Sequence, residues 1–262
     1  MKLKKSLGQN LLIDKNIIEK ITSLEKLNNQ TVLEIGPGSG NLTNKIFEEN
    51  PKKMFLIEKD QRFYKIINEK FKFKENFEIV DDDILKFNLD NFAFKNVIVF
   101  GNLPYNISTQ ILAKFISVKK WPPFYKKIIF MFQKEVAERI IAKSNTTNFS
   151  RISILTNYRL DIIENFNVSK NCFFPRPNVE SKIIVFAPKL NYNYKIKSIK
   201  NLEKITNMFF SNRRKMVNKV FAKIFKDHKY VAKKLNIKLE SRPQELSCND
   251  YFKITEFFEK LN

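Results

Sequence analysis

The sequence predicts an α/β fold, a mostly parallel sheet with helices on both faces, followed by a small all-helical domain. Three observations carry this. Short β-prone runs alternate with helical ones from residue 31 to about residue 143. A glycine-rich turn, Gly36-Pro37-Gly38-Ser39-Gly40, joins the first of these runs to the first helix. After Pro188 the strand signals stop, and the chain becomes helical and more basic.

Taken in order, Thr31-Val32-Leu33-Glu34-Ile35 is the first strand, and a helix follows the glycine turn from about Leu42 to Glu49. Residues 53–57 form a second strand and 61–72 a helix. Phe77-Glu78-Ile79-Val80 is a third strand and Val97-Ile98-Val99-Phe100 a fourth, apolar enough to be buried on both sides. Residues 108–117 are helical, 127–132 a fifth strand, and 133–143 an amphipathic helix. Strands alternating with helices imply βαβ units. The run from Val179 to Ala187 is strongly β-prone and is expected to close the sheet. Asn191-Tyr192-Asn193-Tyr194 looks like a linker, which sets a catalytic domain at 1–190 and a basic helical domain at 191–262.

The 262 residues carry 48 Lys and Arg against 27 Asp and Glu, a net charge of +21. Residues 190–262 hold 17 of these bases against 7 acids, so the charge is denser there. An excess this large favours a polyanionic partner. No apolar stretch is long enough to span a bilayer, and no hydrophobic core follows the basic start Met1-Lys2-Leu3-Lys4-Lys5. A cytoplasmic protein without a membrane partner is expected. Cys172 and Cys248 form no CxxC pair, and a single histidine, His228, leaves little for a zinc site or a Ser-His-Asp triad. No metal is expected.

The glycine turn lets the backbone approach a ligand without a Cβ in the way. Its G-x-G-x-G spacing differs from the G-x-G-x-x-G that seats a pyrophosphate, and no Gly-Lys-Ser/Thr follows to make a P-loop. Glu58 ends the second strand, 22 positions after Gly36, where a ribose diol is held in such folds. Asp83 follows the third strand, where a carboxylate can accept from an adenine amine. Gly36, Gly38, Glu58 and Asp83 at the ends of successive strands together favour an adenosyl ligand.

The fourth strand runs into Gly101-Asn102-Leu103-Pro104-Tyr105-Asn106-Ile107-Ser108. An aromatic amine is a poor nucleophile because its lone pair is delocalised into the ring. Two neutral acceptors, the Asn102 side-chain oxygen and the Pro104 carbonyl, could each take one amine hydrogen and aim the lone pair at a methyl on a sulfonium. Tyr105 could stack on the base once it has left its own stack. The segment suggests methylation of a base amine.

With these motifs, the chain resembles the bacterial small-subunit ribosomal RNA adenine N6,N6-dimethyltransferases. The resemblance runs nearly end to end. It takes in Lys5-Ser6-Leu7-Gly8-Gln9-Asn10-Leu11-Leu12, VLEIGPGSGNLT from Val32, Glu58 with Asp60, Asp83, GNLPYNIST from Gly101, and FQKEVAER from Phe132. It continues through Phe173-Phe174-Pro175-Arg176-Pro177-Asn178-Val179-Glu180-Ser181, Arg213-Arg214-Lys215 and RPQELS from Arg242. Leu7 stands where the family usually has an aromatic, and Ser150 where it usually has Gly.

The resemblance implies a Rossmann-like S-adenosylmethionine-dependent methyltransferase fold. S-adenosylmethionine is then the methyl donor, surrounded by Asn10, Leu12, Gly36, Glu58, Asp83 and Asn102. It also implies Phe173 as a second aromatic wall for the target base. The implied reaction is dimethylation of two adjacent adenosines in the 3′-terminal hairpin loop of 16S rRNA, on the immature small ribosomal subunit, during ribosome biogenesis. A monomer is expected. Arg213, Arg214, Lys215, Lys219 and Lys223 are the expected RNA contacts. Competing readings are an antibiotic-resistance methyltransferase of large-subunit rRNA and a non-catalytic ribosome-assembly factor on the same fold.

Overall fold

The computed structural model describes residues 10–191 and 194–261. The chain forms two compact units. One contains residues up to Ala137 together with Ile162–Pro188, and the other Glu138–Asp161 together with the chain from Lys189 on.

The elements of the first unit begin with β1 (Leu11–Leu12), α1 (Lys15–Thr22), β2 (Thr31–Ile35), α2 (Asn41–Glu48), β3 (Lys53–Glu58), α3 (Gln61–Phe71) and β4 (Phe77–Asp81). They continue with β5 (Val97–Asn102), α4 (Ser108–Ile116), β6 (Tyr125–Gln133) and α5 (Lys134–Ile141), the last running past Ala137. After α6 (Arg151–Arg159) come β7 (Leu160–Val168), β8 (Phe173–Phe174) and β9 (Ser181–Pro188). Seven strands form one sheet in the order β4-β3-β2-β5-β6-β9-β7. The pairings from β4 through β6 are parallel, and β9 runs antiparallel to β6. A separate two-stranded antiparallel ribbon pairs β1 with β8.

Successive strand residues face opposite sides of a sheet. Val32, Met54, Leu56, Ile98, Phe100, Ile129 and Met131 point to one side, where they pack with Ile18 and Ile21 of α1, Leu42 and Ile46 of α2, and Ile67 and Phe71 of α3. On the other side Phe55 meets the rings of Phe87, Phe92 and Phe94, and Phe130 meets Phe115 of α4. Burial on both faces explains why these strands are continuous apolar runs. The helices start where a side chain can satisfy free backbone N–H groups. Asp14 accepts from Ile17 N at 2.9 Å at the start of α1, and Asp60 from Arg62 N at 3.1 Å at the start of α3.

The expected strands and helices between residues 31 and 143 lie within a few residues of the observed ones. The closing strand differs. β9, covering most of the run expected to close the sheet, lies inside it between β6 and β7. The edge is β7, largely exposed along its length and carrying Asp161 and Glu164. Charged residues on an edge discourage pairing with another chain, and they also remove the apolar signature of a strand.

The second unit holds α6, α7 (Ile199–Phe210), α8 (Asn218–Ile224), α9 (His228–Leu235) and α10 (Cys248–Leu261). Glu259 of α10 reaches the start of α7, accepting from Lys197 N, Ser198 N and Asn201 Nδ2 at 2.6, 3.0 and 2.7 Å. Tyr251 is buried and donates to the Pro243 carbonyl at 2.7 Å. The sequence-based boundary at residue 190 omits α6 from this unit. Its Ile154, Leu155 and Tyr158 are buried, Tyr158 packs on Phe252 of α10 at 5.1 Å, and Asn145 N donates to Gln244 O at 2.8 Å. The helical unit is therefore assembled from two stretches of chain. Of the expected linker, Tyr192 and Asn193 lie outside the described residues. Among the described residues, no helix is long and apolar enough to cross a membrane.

Candidate active site

The first unit contains a cavity of about 290 Å³ at the carboxyl ends of β2, β3 and β5, where open α/β sheets bind ligands. Asn10 to Leu12, the glycine turn, Glu58, Asp83 and the Asn102–Ile107 turn all line it.

The glycine turn is shaped by its own hydrogen bonds. Gly36 N donates to Ile57 O at 2.9 Å, and Gly38 N donates to Glu58 Oε2 at 3.2 Å. Gly38 has φ +55°, and a Cβ there would sit 3.0 Å from the Leu11 side chain. A side chain at this position would be strained and would crowd the cavity wall. Glu58 Oε1 accepts from Asp60 N at 2.7 Å, so one carboxylate ties the glycine turn to the start of α3. Burial pushes the Glu58 carboxyl up, outweighing the backbone N–H groups from Asp60 and Gly38. Its oxygens keep further lone pairs for a ligand diol.

Asp83 is more open. Its Oδ1 accepts from Leu85 N at 2.9 Å and its Oδ2 from Lys59 Nζ at 2.8 Å. Burial works to raise its carboxyl, but the Lys59 ammonium and the Leu85 N–H hold it below the ordinary value. It therefore stays ionised as an acceptor. Leu12 lines the cavity while its side chain packs in the core, and its carbonyl accepts from Asn41 Nδ2 at 2.8 Å.

Asn102 ends β5. Its Nδ2 donates to the Asn10 carbonyl at 3.0 Å. A carbonyl can only accept, so this contact identifies the nitrogen end of the amide and turns Oδ1 away from Asn10. The Pro104 carbonyl accepts from Ile107 N at 3.1 Å, which closes the turn and leaves a second lone pair. Tyr105 is half-buried, and its hydroxyl shares a 2.6 Å hydrogen bond with Ser181 Oγ. Burial raises the Tyr105 phenol, so it stays neutral.

Phe173, expected as a second aromatic wall, lies in the packed interior. It is 3 % exposed, belongs to the core cluster, and pairs across the ribbon with the buried Leu12. It is absent from the cavity lining, although Leu12 opposite it both packs in the core and lines the cavity. Glu34, Asn41, Lys59 and Ser181 are the residues the sequence analysis did not single out. An acid inside the apolar strand Val32–Ile35 was the available signal for Glu34.

Glu34 is buried, lines the cavity and accepts from Thr43 Oγ1 at 2.7 Å. Burial pushes its carboxyl up to about 8, against the Thr43 hydroxyl, and the Glu58 charge adds to the rise. A carboxyl raised on folding keeps a proton that the unfolded chain has lost. Its effect is therefore a loss of stability as pH rises from about 4.5 to about 8. Glu34→Gln keeps the neutral shape and the acceptor for Thr43. It is expected to flatten that decline and raise Tm at pH 8 by a few degrees, at about 2–4 °C per kcal/mol. Thermal melts of both proteins at pH 5 and pH 8 check this.

In the second unit, Arg214, Lys215, Lys219 and Lys223 are exposed. Arg213 is different. Its Nε donates to Gln244 Oε1 at 3.1 Å and its guanidinium also donates to the Thr147 carbonyl. It serves the unit's own packing by holding two loops together.

Comparison with known proteins adds to this geometry. The chain matches the family model described as ribosomal RNA adenine dimethylase over residues 1–260. A ribosomal RNA small subunit methyltransferase A from Pelagibacter ubique is 46% identical over 261 residues, covering 100% of this chain and 98% of the relative. One from Mycoplasma mobile is 40% identical over 253 residues, 95% of each. The crystal structure of a dimethyladenosine transferase from Plasmodium falciparum aligns with a TM-score of 0.79 at 28% identity, covering 95% of this chain and 98% of that one. The 23S rRNA methyltransferase ErmE aligns with a TM-score of 0.70 at 19% identity over 95% of this chain and 100% of its own, a likeness of fold.

Proposed function

The chain belongs to the ribosomal RNA adenine dimethylase family, and from this premise we propose that its cavity dimethylates N6 of two adjacent adenosines in the 3′-terminal hairpin loop of 16S rRNA. The protein is an rRNA adenine dimethyltransferase. The proposed substrate is the immature small ribosomal subunit, met in the cytoplasm by a monomer, with the basic helical unit contacting RNA through Arg214, Lys215, Lys219 and Lys223.

S-adenosylmethionine, when bound, supplies a methyl group on a sulfonium. Glu58 would hold the ribose hydroxyls through its remaining lone pairs, and Asp83 would accept from the adenine amine. Gly36 and Gly38 leave room for close backbone approach, and Asn10 and Leu12 complete the lining. The target adenine is gripped at its amine by Asn102 Oδ1 and the Pro104 carbonyl, both neutral. These dipoles favour the positive charge that grows on the nitrogen during transfer, and need no general base beforehand. The Tyr105 ring, held by Ser181, stacks on the flipped base.

The observation that carries this reading is the 3.0 Å bond from Asn102 Nδ2 to the Asn10 carbonyl. It presents a fixed acceptor to the cavity. The test is transfer of labelled methyl groups to small and large ribosomal subunits from cells lacking the gene. Transfer to the small subunit, as two dimethyladenosines by mass spectrometry, is expected. Transfer to the large subunit instead would favour the resistance-type reading, and transfer to neither a non-catalytic assembly role. RNA affinity is expected to fall with salt at a log–log slope of roughly −0.7 to −0.9 per neutralised phosphate. A flat response would overturn the basic-surface contact.

A further inference from the structure

We propose that Phe174 is a stacking platform for a second RNA base, the neighbour of the one being methylated. This rests on the function proposed above. Residues directly opposite each other in an antiparallel pair point to the same face. In the β1–β8 ribbon, Leu12 opposes Phe173 and both are buried; Leu11 opposes Phe174. Leu11 faces the cavity, its side chain lying against the glycine turn at Gly38. Phe174 therefore stands beside Leu11 on the same face of the ribbon, next to a residue of the cavity lining. It is 65 % exposed, and Ile13, two residues on from Leu11, is 50 % exposed.

An aromatic ring left in water needs a reason when the same strand buries its neighbour. Methylating a base amine supplies one. The target must leave its stack, and the adjacent base loses a partner on that side. A protein ring restores stacking without regard to base identity, because every base has a π-face. The ribbon is built to hold its shape before RNA arrives. Ile13 N donates to Cys172 O at 2.9 Å, and Asn41 Nδ2 donates to Leu12 O at 2.8 Å. Arg176, two residues after Phe174, adds an exposed cation to the same segment. A segment that exposes both an aromatic ring and a guanidinium suits a nucleotide, with its base and phosphate, better than an apolar partner surface.

The test uses the full-length protein and two hairpin RNAs of the small-subunit 3′ end. In each, 2-aminopurine replaces the nucleotide on one side of the target adenosines. Stacking on a ring changes its fluorescence. Phe174→Ala is expected to raise KM for small subunits about 5- to 50-fold, leave kcat within about twofold, and lose the fluorescence change in one of the two RNAs. Phe174→Tyr is expected to restore both. Affinity for S-adenosylmethionine, by calorimetry, and Tm are expected to be unchanged, as the ring is exposed. Phe73→Ala, which removes another exposed ring outside the cavity lining, is the control. Wild-type KM and fluorescence in Phe174→Ala would overturn the inference while leaving the proposed function standing. An inactive wild-type protein on small subunits would overturn both.

Discussion

Asn102→Ala is expected to lower methyl transfer to small subunits at least 100-fold, in line with the loss of one preorganised dipole at a developing charge. The loss should fall on kcat, because the contact matters most as charge grows on the amine. Affinity for S-adenosylmethionine should fall less, since Glu58 and Asp83 remain. Asn102→Asp is the sharper test. It keeps the size and an acceptor oxygen, but it sets a carboxylate against the Asn10 carbonyl, where the amide now donates at 3.0 Å. Two acceptors cannot share that contact, so the side chain must turn and the grip is lost. Single-turnover assays with both variants check this, and wild-type rates in either would overturn the assigned role.

The second large effect is expected at Glu58. Its carboxylate accepts from Gly38 N and Asp60 N, and it is only 7 % exposed. Glu58→Ala leaves two backbone donors without a partner, at about 1–3 kcal/mol each for those that stay buried. It also releases the glycine turn from the start of α3. A 10- to 100-fold weaker affinity for S-adenosylmethionine is expected, together with a fall in Tm of several degrees. Glu58→Gln keeps one acceptor and should lie between. Calorimetric titration and thermal melts of the three proteins decide it. Unchanged affinity in Glu58→Ala would remove Glu58 from the donor site.

The sequence made the sheet legible because β2, β3, β5 and β6 are buried on both faces over most of their length and appear as apolar runs, broken within β2 only by Glu34. Glu58 and Asp83 were legible because acids closing such runs have nowhere to go but the strand ends. Other parts leave no such mark. The ribbon of β1 and β8 is two residues on each side, too short to show a period. β7 is an edge strand, and its charges mask it. α6 buries Ser153 and Thr156 among its apolar residues, so it shows no clean stripe, and the helical unit's first segment went unnoticed. Arg213 looked like a surface cation from its neighbours Arg214 and Lys215. Its inward use depends on Thr147 and Gln244, far away in sequence. Phe173 and Phe174 are adjacent phenylalanines, and only the register with Leu11 and Leu12 tells them apart.

If the amine is gripped as proposed, the amide of Asn102, held by Asn10 at 3.0 Å, would also make the two rounds of reaction unequal. An unmodified adenine amine offers two hydrogens, one for each acceptor. After one round it offers a single hydrogen, and the pinned amide cannot rotate to follow it. One of the two handholds is then empty. The half-finished base is held more loosely than the starting one, and at that moment it divides between escape and completion. The outcome would then depend on the residence time that stacking on the proposed rings provides. In the proposed grip, hydrogen bonds would start the modification and aromatic contacts would determine whether it finishes.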